Sequence, residues 1–512
     1  MPHTRRLFHL SGTDSLPPLT VTTETRAPSL HPLEKALLVI VATHLVFLPW
    51  ALGAMHIWSQ GVSFGLSLVS LCVALKSRDD PSNGTAESSF RPDPLPTLLR
   101  FPIFWLGLAF LLYTVVQALN PAWQWIHTDH GGWLRGVSFV TWLPAGMRTP
   151  IAVASPWRAL MIHGSAWLSA CAVWTGFTRR TALRILLAAL VVNAFLLALL
   201  GLAQRALHAD RIFWFWKPPA SYFVASFIYR NHAGAYFDLA LAITCALTLW
   251  YYRRQIRHHE PSSPAVLLGF FAAVIVAIVL YSYSRTAMLL MIVFLAVVAV
   301  IFGRAALASR APGHARLTTV FAGAVFVAVV ALSLVSLRTG QMTERMRGLA
   351  QEAEAGLENT RLVVAKATWA MVRDQPVFGW GAGSFSFGFP GYQIRYPEIC
   401  VARDSRKRMF FEHAHDDYLE LLAEYGVVGC AFLLGGFCFY SYQLFHLRVW
   451  RNPPAAILLF GCLFTMVHAA FDFPLFNPAI LITWCCLWTL ILRWLTIDRW
   501  RSPSGSVIPP SS

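Results

Sequence analysis

The stretch AVLLGFFAAVIVAIVLYSYSRTAMLLMIVFLAVVAVIF, residues 265–302, decides the fold class. It contains two apolar runs, Ala265–Tyr283 and Ala287–Phe302, and Arg285 lies in the short segment between them. A helix needs about 20 predominantly apolar residues to cross the hydrocarbon core of a bilayer. Inside that core a helix satisfies its backbone polar groups without help from water. The stretch therefore predicts two membrane-spanning helices joined by a tight turn.

Similar apolar runs recur along most of the 512 residues. Hydrophobic residues make up 56% of the chain and charged residues only 13%, against roughly 25% charged residues in soluble domains. This composition excludes a soluble enzyme and predicts an all-α, polytopic integral membrane protein. We expect about twelve spans, delimited by apolar length and flanking polarity: Ala36–Met55, Gly61–Lys76, Leu98–Leu119, Trp157–Phe177, Leu183–Gln204, His232–Tyr252, Ala265–Tyr283, Ala287–Phe302, Leu317–Leu337, Tyr418–His446, Pro454–Phe471 and Ala479–Leu495.

Clusters of basic residues set the expected topology. They fall on alternate sides of the predicted spans, in register, and such an excess marks the cytoplasmic side. Both termini are then cytoplasmic, and the longest connection, 338–417, is a partly helical loop on the outer side. The expected organisation is a disordered cytoplasmic tail (1–34), N-terminal transmembrane helices (35–264), a core that includes the outer loop (265–436), C-terminal transmembrane helices (437–498) and a cytoplasmic tail (499–512).

The net charge of +16 comes almost entirely from arginine. The positive-inside rule explains most of the cytoplasmic arginines, so the charge does not call for a nucleic-acid partner. Of the nine cysteines only Cys400 lies outside the apolar runs, in which cysteine behaves as a small hydrophobic residue. This pattern predicts neither a structural disulfide nor a zinc site.

The clearest signal for chemistry is the segment FEHAHDDYLE, residues 411–420, where the outer loop re-enters the membrane. It places His413 and His415 beside Asp416 and Asp417. A neutral imidazole can accept a proton near pH 7, and a neighbouring carboxylate can orient it. Two other interpretations remain open. The aspartates could only cap the following helix, or the histidines could bind a metal, although no matching distant ligand set is visible.

Three arginines lie at the predicted outer ends of helices. Arg285 lies between two spans, and Arg361 begins a helix-like segment of the loop. Arg230 precedes Asn231 and His232 where another span begins. A guanidinium held at the membrane surface can bind a diphosphate through forked hydrogen bonds. The alternative is an arginine that only snorkels from a helix end.

Small residues accompany these arginines. Ala233 and Gly234 follow Arg230 and would allow another helix to approach closely. The glycine-rich segment 376–383 could bring its backbone close to a headgroup or sugar, or could simply form a tight turn.

The order of these motifs resembles the O-antigen ligase and polymerase superfamily of bacterial inner-membrane glycosyltransferases. The resemblance covers residues 265 to about 436, which look like an O-antigen ligase-like core. Members of that family usually carry His-Asn where this chain has His415-Asp416. The matching motifs are Ser284-Arg285-Thr286, the Arg361, Trp369, Pro376, Gly379 and Gly381 run, the His415-Asp-Asp-Tyr-Leu block with Glu424-Tyr-Gly426, and the Arg230-Asn-His-Ala block.

The resemblance implies transfer of a glycan from an undecaprenyl-diphosphate donor to an acceptor hydroxyl, on the periplasmic face and without a cofactor or metal. Lipid A-core is the first choice of acceptor, and a growing glycan or a protein hydroxyl are the alternatives. The implied site residues are His415 and Asp416 for catalysis, Arg285, Arg230, Arg361 and His413 for donor binding, and Asn231, His232, Asp417 and Glu424 for acceptor binding or support.

Two rivals to this interpretation remain. A twelve-span transporter of a polyprenyl-linked or polysaccharide substrate would use polar residues within the spans, for which His44, His163, Asp238 and His468 are the candidates. A catalytically inactive relative would only bind polyprenyl lipids.

Overall fold

The computed structural model describes residues 30–77, 93–129, 131–219, 222–260, 262–307, 359–401 and 409–500. Most of these residues are helical, and short helical turns connect some of the longer helices. The helices of six residues or more are α1 (Pro32–Trp50), α2 (Ile57–Ala74), α3 (Pro94–Leu99), α4 (Pro102–Leu119), α5 (Pro156–Gly176), α6 (Arg180–Ala206), α7 (Arg230–His258), α8 (Ala265–Tyr281), α9 (Arg285–Leu307), α10 (Asn359–Asp374), α11 (Asp417–His446), α12 (Pro453–Ala469) and α13 (Pro478–Trp500).

The predicted all-α polytopic membrane fold is confirmed. Within the described ranges eight helices are long and apolar enough to cross a membrane, namely α1, α2, α4, α6, α7, α9, α11 and α13, and α8 and α12 are shorter apolar helices. Eleven of the twelve predicted spans coincide with one of these ten helices or with α5. The remaining span, Leu317–Leu337, lies outside the described residues.

The predicted terminal segments differ from the observed helices by a few residues. Helix α1 begins at Pro32, within the predicted tail, and Glu34 in its first turn is already buried. Its carboxylate accepts hydrogen bonds from the backbone amides of Thr178 (2.9 Å) and Arg179 (3.0 Å). At the other terminus α13 continues to Trp500.

Helices α7 and α9 approach each other closely at Gly234, as the small residues predict. A Cβ atom added to Gly234 would lie 2.6 Å from the Cβ of Ala287 and 3.1 Å from that of Ser284. The contact aligns the starts of α7 and α9, which carry Arg230 and Arg285. We call this end of the bundle, which also holds the start of α11 and the α12–α13 connection, the site end.

The glycine-rich segment packs against a break in α11. Gly426 has φ +61°, and Val427 donates its amide to the carbonyl of Pro376 (2.9 Å). A Cβ atom on Gly379 would lie 2.5 Å from the backbone of Glu424, so only glycine fits there. The structure therefore shows a third arrangement, in which the glycines pack closely against other backbone: a Cβ atom on Gly381 would lie 2.3 Å from Gly146, and one on Gly383 would lie 2.8 Å from Ser155.

A small sheet that the sequence analysis did not predict lies between α4 and α5. Strands β1 (Pro121–Thr128), β2 (Gly131–Gly136) and β3 (Gly146–Arg148) form it in the order β2-β1-β3. β1 pairs with β2 antiparallel and with β3 parallel. Trp125 of β1 packs against Phe387, with ring centroids 5.1 Å apart. The sheet therefore supports the loop that leads to α11.

Candidate functional site

Three segments meet at Asp472, in the connection between α12 and α13. His415, just before α11, places Nδ1 3.3 Å from Oδ1 of Asp472. Arg361 of α10 places Nη2 3.9 Å from Oδ2, and Asn231 of α7 donates from Nδ2 to the same oxygen. The side chain of Asp472 is only 1% exposed. A buried carboxylate thus joins three residues that the sequence analysis assigned separately.

The charge of this carboxylate is stabilised by its neighbours. Burial by itself would raise the pKa of Asp472, since it disfavours the charged form. The hydrogen bond and charge of His415, together with the Arg361 guanidinium, outweigh burial and hold this pKa at about 2. The amide of Phe473 also donates to Oδ1 at 3.0 Å. Asp472 is therefore an anion at neutral pH.

The contact with Asp472 fixes the orientation of the His415 ring. Because Nδ1 faces the carboxylate, we assign the ring proton to Nδ1, which leaves Nε2 as the proton acceptor. His415 also has a left-handed backbone, with φ +58°. Non-glycine residues with this conformation are uncommon and cluster at functional sites. The His415 side chain is 26% exposed, so it is accessible from outside the protein.

His413 makes a separate and more buried pair. Its Nδ1 lies 2.7 Å from Oε1 of Glu420, and Oε2 of Glu420 accepts the amide of Ala414 (2.6 Å). Burial lowers the pKa of His413, but the charge and hydrogen bond of Glu420 raise it by more, so the pKa lies above its ordinary value. The His413 ring stacks on Phe473, with centroids 4.4 Å apart, and His415 meets the same ring edge-on at 5.1 Å.

The remaining acidic residues of the block hold backbone groups. Asp416 caps α11, because its Oδ1 accepts the amides of Tyr418 (3.0 Å) and Leu419 (3.1 Å), and burial raises its pKa. Asp417 accepts the amide of Leu475 (2.9 Å). Glu424 accepts the amide of Phe385 (3.0 Å). The capping interpretation therefore describes Asp416, and the carboxylate that contacts His415 is Asp472.

His232 supports the same connection from α7. Its Nε2 lies 3.2 Å from the carbonyl oxygen of Phe473, and its Nδ1 lies 3.5 Å from Nδ2 of Asn477. Asn231 also donates to the hydroxyl of Tyr229 (2.8 Å), and the Tyr229 ring stacks on Phe473 at 5.2 Å. Asn231 and His232 thus hold the backbone and carboxylate of the Asp472 segment.

The three predicted arginines lie at the site end but in different surroundings. Arg361 is half exposed and donates from Nη1 to the carbonyl of Phe471 (2.8 Å). Arg230 begins α7, with its guanidinium 5.3 Å from the centre of the Tyr222 ring. Arg285 begins α9 and is exposed. A cavity of about 110 Å³ beside Arg230 is also lined by Arg205, Tyr222 and Tyr283. The loop cations Arg403, Arg406, Lys407 and Arg408 lie outside the described residues.

The metal interpretation of the two histidines finds no support in their partners. Each Nδ1 faces a different carboxylate, Glu420 or Asp472. In the part of the chain that the structure describes, no group of three or more His, Cys, Asp and Glu side chains could hold a metal ion.

The polar residues expected of a transporter are dispersed. His44 bonds Ser63 (2.7 Å) between α1 and α2, whereas His163 bonds the hydroxyl of Tyr425 (3.0 Å) between α5 and α11. His468 lies one turn before Asp472. Asp238 lies inside α7. These contacts do not define a common binding site among the described residues.

Asp472 is the main residue that the sequence analysis missed. It lies outside every motif that carries the resemblance, so the resemblance gave it no role. One signal was present: an aspartate in the short outer connection between two predicted spans, where a charge needs a partner. For the sheet, the alternating pattern Trp123-Gln-Trp125-Ile-His127 before Gly131-Gly132 was an available strand and turn signal.

Comparison with known proteins adds one finding. Residues 270–434 match the family model described as O-antigen ligase. No curated protein matches the chain. The matched region contains Arg285, Arg361 and His415 and ends within α11, whereas Asn231 and Asp472 lie outside it. On a polytopic helical membrane protein with the predicted motifs in order, this match confirms the predicted resemblance to the O-antigen ligase superfamily over residues 270–434.

Proposed function

We propose that this protein transfers a glycan from an undecaprenyl-diphosphate carrier to an acceptor hydroxyl, on the periplasmic face of the bacterial inner membrane. The family match supports a lipid-linked glycan donor and a glycan acceptor in a membrane. The observation that carries the proposal is the contact between His415 and the buried Asp472 carboxylate, 3.3 Å apart. It orients an accessible imidazole and balances the charge that the ring gains when it takes a proton.

The chemistry follows from this pair. Nε2 of His415 takes the proton of the acceptor hydroxyl while the acceptor oxygen bonds to the anomeric carbon of the donor sugar. The bond from that carbon to the diphosphate oxygen breaks, and the diphosphate leaves with the electron pair. Asp472 stabilises the imidazolium, and because its pKa is held at about 2 it stays ionised instead of taking the proton.

Arginines stabilise the leaving group in this mechanism. Arg361 lies beside Asp472 with a half-exposed guanidinium, so it can also face a bound diphosphate. Arg230 and Arg285 begin helices that meet at Gly234 and supply further positive charge at the same end of the bundle. A guanidinium binds phosphate oxygens in a fork and opposes the charge that develops on them. With this charge supplied by protein, the reaction needs no divalent metal.

The acceptor class separates the candidate functions within the superfamily. Ligation to lipid A-core is our first choice, and polymerisation of the carrier-linked glycan and transfer to a protein hydroxyl use the same donor chemistry. Three purified acceptors would distinguish these functions: a lipid A-core, a second carrier-linked glycan and a protein with accessible serines.

The test is transfer by the purified full-length protein in nanodiscs, with an undecaprenyl-diphosphate-linked glycan and excess EDTA. We expect one undecaprenyl diphosphate to be released per glycan transferred, with no response to added magnesium, manganese or zinc. Activity that disappears in EDTA and returns with one metal contradicts the arginine mechanism. Absence of transfer to all three acceptors contradicts the proposed function.

A further inference from the structure

The proposed function has no role for a group of arginines at the end of the bundle opposite the site end. Helix α7 begins at the site end, and α6 precedes it in the chain, so the start of α6 and the end of α7 both lie at the opposite end. The first turns of α6 and the last turns of α7 carry Arg180, Arg184, Arg253, Arg254 and Arg257. We call this group the α6–α7 arginine cluster.

Two of these arginines contact one aromatic ring, that of Trp250 on α7. The guanidinium carbon of Arg184 lies 4.3 Å from the centre of the Trp250 ring, and that of Arg254 lies 5.8 Å from it. The charges of Arg254 and Arg180 both repel the charge of Arg184. Like charges held around one ring repel each other less when an anion lies between them.

Arg184 also has an unused hydrogen-bond donor. Its Nη2 donates to the hydroxyl of Thr181 (3.2 Å), which is a neutral acceptor. Its Nε is buried and has no hydrogen-bond partner among the residues that the structure describes. A buried donor without an acceptor raises the free energy of the folded state. An oxygen supplied by a bound anion would remove this cost.

Acidic side chains neutralise part of the cluster. Asp498 of α13 contacts Arg180, and Oε1 of Glu260 lies 3.0 Å from Nε of Arg254. The side chain of Arg254 remains 46% exposed beside this contact. Within the described ranges, the cluster therefore has more guanidinium groups than these carboxylates can neutralise. A ligand that fits it carries negative charge.

An exposed apolar surface adjoins the cluster. Ile185 and Val192 of α6 are 46% and 47% exposed, and Leu267 near the start of α8 is 55% exposed. Phe195 of α6 stacks on Phe271 of α8 with ring centroids 3.9 Å apart, so the two helices lie side by side. On a membrane protein, exposed apolar side chains of this kind face acyl chains. The cluster thus lies where a charged headgroup would continue into a hydrocarbon surface.

We infer that the α6–α7 arginine cluster binds the headgroup of an anionic phospholipid, with a phosphate between Arg184 and Arg254 and the acyl chains along Ile185 and Val192. Guanidinium groups bind phosphate oxygens in a fork, and basic pockets between membrane helices bind anionic headgroups. The adjoining apolar surface favours a lipid over a soluble anion. The inference does not depend on the proposed function, because the cluster lies at the opposite end of the bundle from Asp472.

The direct test is photolabelling of the full-length protein in phosphatidylcholine nanodiscs. One probe is a phosphatidylglycerol with a diazirine on an acyl chain, and the other is a phosphatidylcholine with the same chains. We expect the anionic probe to label Ile185, Val192 and Leu267 about fivefold more than the neutral probe, because one arginine near a headgroup contributes a factor of about five. Leu112 of α4, which is 56% exposed, should be labelled equally by both.

Two results of this experiment overturn the inference. Equal labelling of the α6–α8 surface by the two probes shows that the arginines do not select a charged headgroup. Loss of the anionic labelling in excess inorganic phosphate shows that the cluster binds a soluble anion instead of a lipid. We expect inorganic phosphate to leave the labelling unchanged, because it lacks the acyl chains.

Variants with a matched control separate this site from general surface charge. Arg184→Gln and Arg254→Gln each remove one guanidinium from the cluster. Arg304→Gln removes one from the last turn of α9, which contacts α7 at Tyr252, on the side away from Trp250. Each cluster variant should lower the preference for the anionic probe about fivefold, and the Arg304 variant should keep it. Equal losses in all three variants contradict a defined site.

A conservative variant and the wild type guard against misfolding. Arg184→Lys keeps the charge but loses the forked geometry, so the preference should fall by less than in Arg184→Gln. The comparison of the two probes on the wild type needs no variant and no turnover. A wild type that shows the preference but transfers no glycan contradicts the proposed function and supports the lipid site. A wild type that transfers a glycan without the preference does the reverse.

Discussion

The two histidines of the 411–420 segment contact the same phenylalanine, Phe473, yet lie in opposite environments. His413 is paired with Glu420 beside a mostly apolar cavity of about 770 Å³ along α11, and its side chain is 15% exposed. His415 is paired with Asp472 beside Arg361, and its side chain is 26% exposed. Each imidazole has a carboxylate within hydrogen-bonding distance, so residue type and pairing do not distinguish them. The two histidines differ in their solvent exposure and in the charged groups around them.

Because of this difference, we propose different roles for the His413–Glu420 and His415–Asp472 pairs. A buried ion pair is held in place by the cost of leaving either charge alone, so the His413–Glu420 pair suits a structural role. An accessible imidazole beside a buried anion suits proton transfer, because its free nitrogen can meet a substrate. The predictions below test this division, from the largest expected effect to the smallest.

Replacing His415 should have the largest effect on catalysis. His415→Ala should lower kcat by 10²- to 10⁴-fold, the typical value of general acid–base catalysis, and leave donor binding and the melting temperature close to wild type. Single-turnover transfer and equilibrium binding of the donor measure the two quantities. Near-normal transfer by this variant would remove His415 from the mechanism.

Replacing His413 should act on stability. His413→Ala leaves Glu420 buried without its partner, and removing one member of a buried pair costs about 3–5 kcal/mol. Thermal unfolding in nanodiscs should show a large decrease in Tm. His413→Ala combined with Glu420→Leu removes both members and should recover much of the loss. A variant with normal Tm and no transfer would reverse the roles of the two histidines.

Asp472→Asn should keep the shape of the site and remove its negative charge. The imidazolium that forms during proton transfer then lacks its counter-charge, so we expect kcat to fall by roughly 10- to 100-fold, a loss of about 1.4–2.7 kcal/mol. In the His415→Ala background the same change should have little further effect, since the two residues act as a unit. Independent, additive losses would show that Asp472 does not act through His415.

Arg361→Lys tests whether the Arg361 guanidinium binds the diphosphate of the donor. Lysine keeps the charge but loses the forked geometry, so donor KM should rise by about tenfold. The acceptor KM should change less, because Arg361 is proposed to bind the diphosphate of the donor. Arg373→Lys, also on α10, is the matched control and should behave as wild type. An effect confined to acceptor KM would contradict a donor-binding role for Arg361.

The pH dependence of stability should give the smallest signal. Glu420 raises the pKa of His413 in the folded protein above its unfolded value of about 6.5, so the folded state binds the proton more tightly. The pair then contributes its full stability below about pH 6.5, and this contribution is lost as pH rises through the raised pKa. Melting curves from about pH 6 to about pH 9, which bracket the unfolded value and the raised pKa, should show this decline in the wild type and lack it in His413→Gln.

Local sequence patterns identified most of the fold and part of the site. The apolar runs predicted the helices because a bilayer crossing imposes length and composition on each segment independently of its neighbours. Gly234 predicted that some helix approaches α7 closely for a similarly local reason, the lack of a side chain, but did not identify α9 as that helix. The Asp416 cap was also visible, since capping acts within one turn of helix.

Only the tertiary structure decided which carboxylate serves which histidine. Asp416 follows His415 in the chain, yet its side chain turns to the amides of α11, while Asp472, 57 residues further on and outside the family match, contacts the imidazole. The same holds for Glu420 with His413 and for the cavity along α11, because each depends on how separate helices meet. The sequence by itself determined the membrane helices and the histidine segment, and packing determined the partners, because long-range contacts are not encoded in the spacing of neighbouring residues.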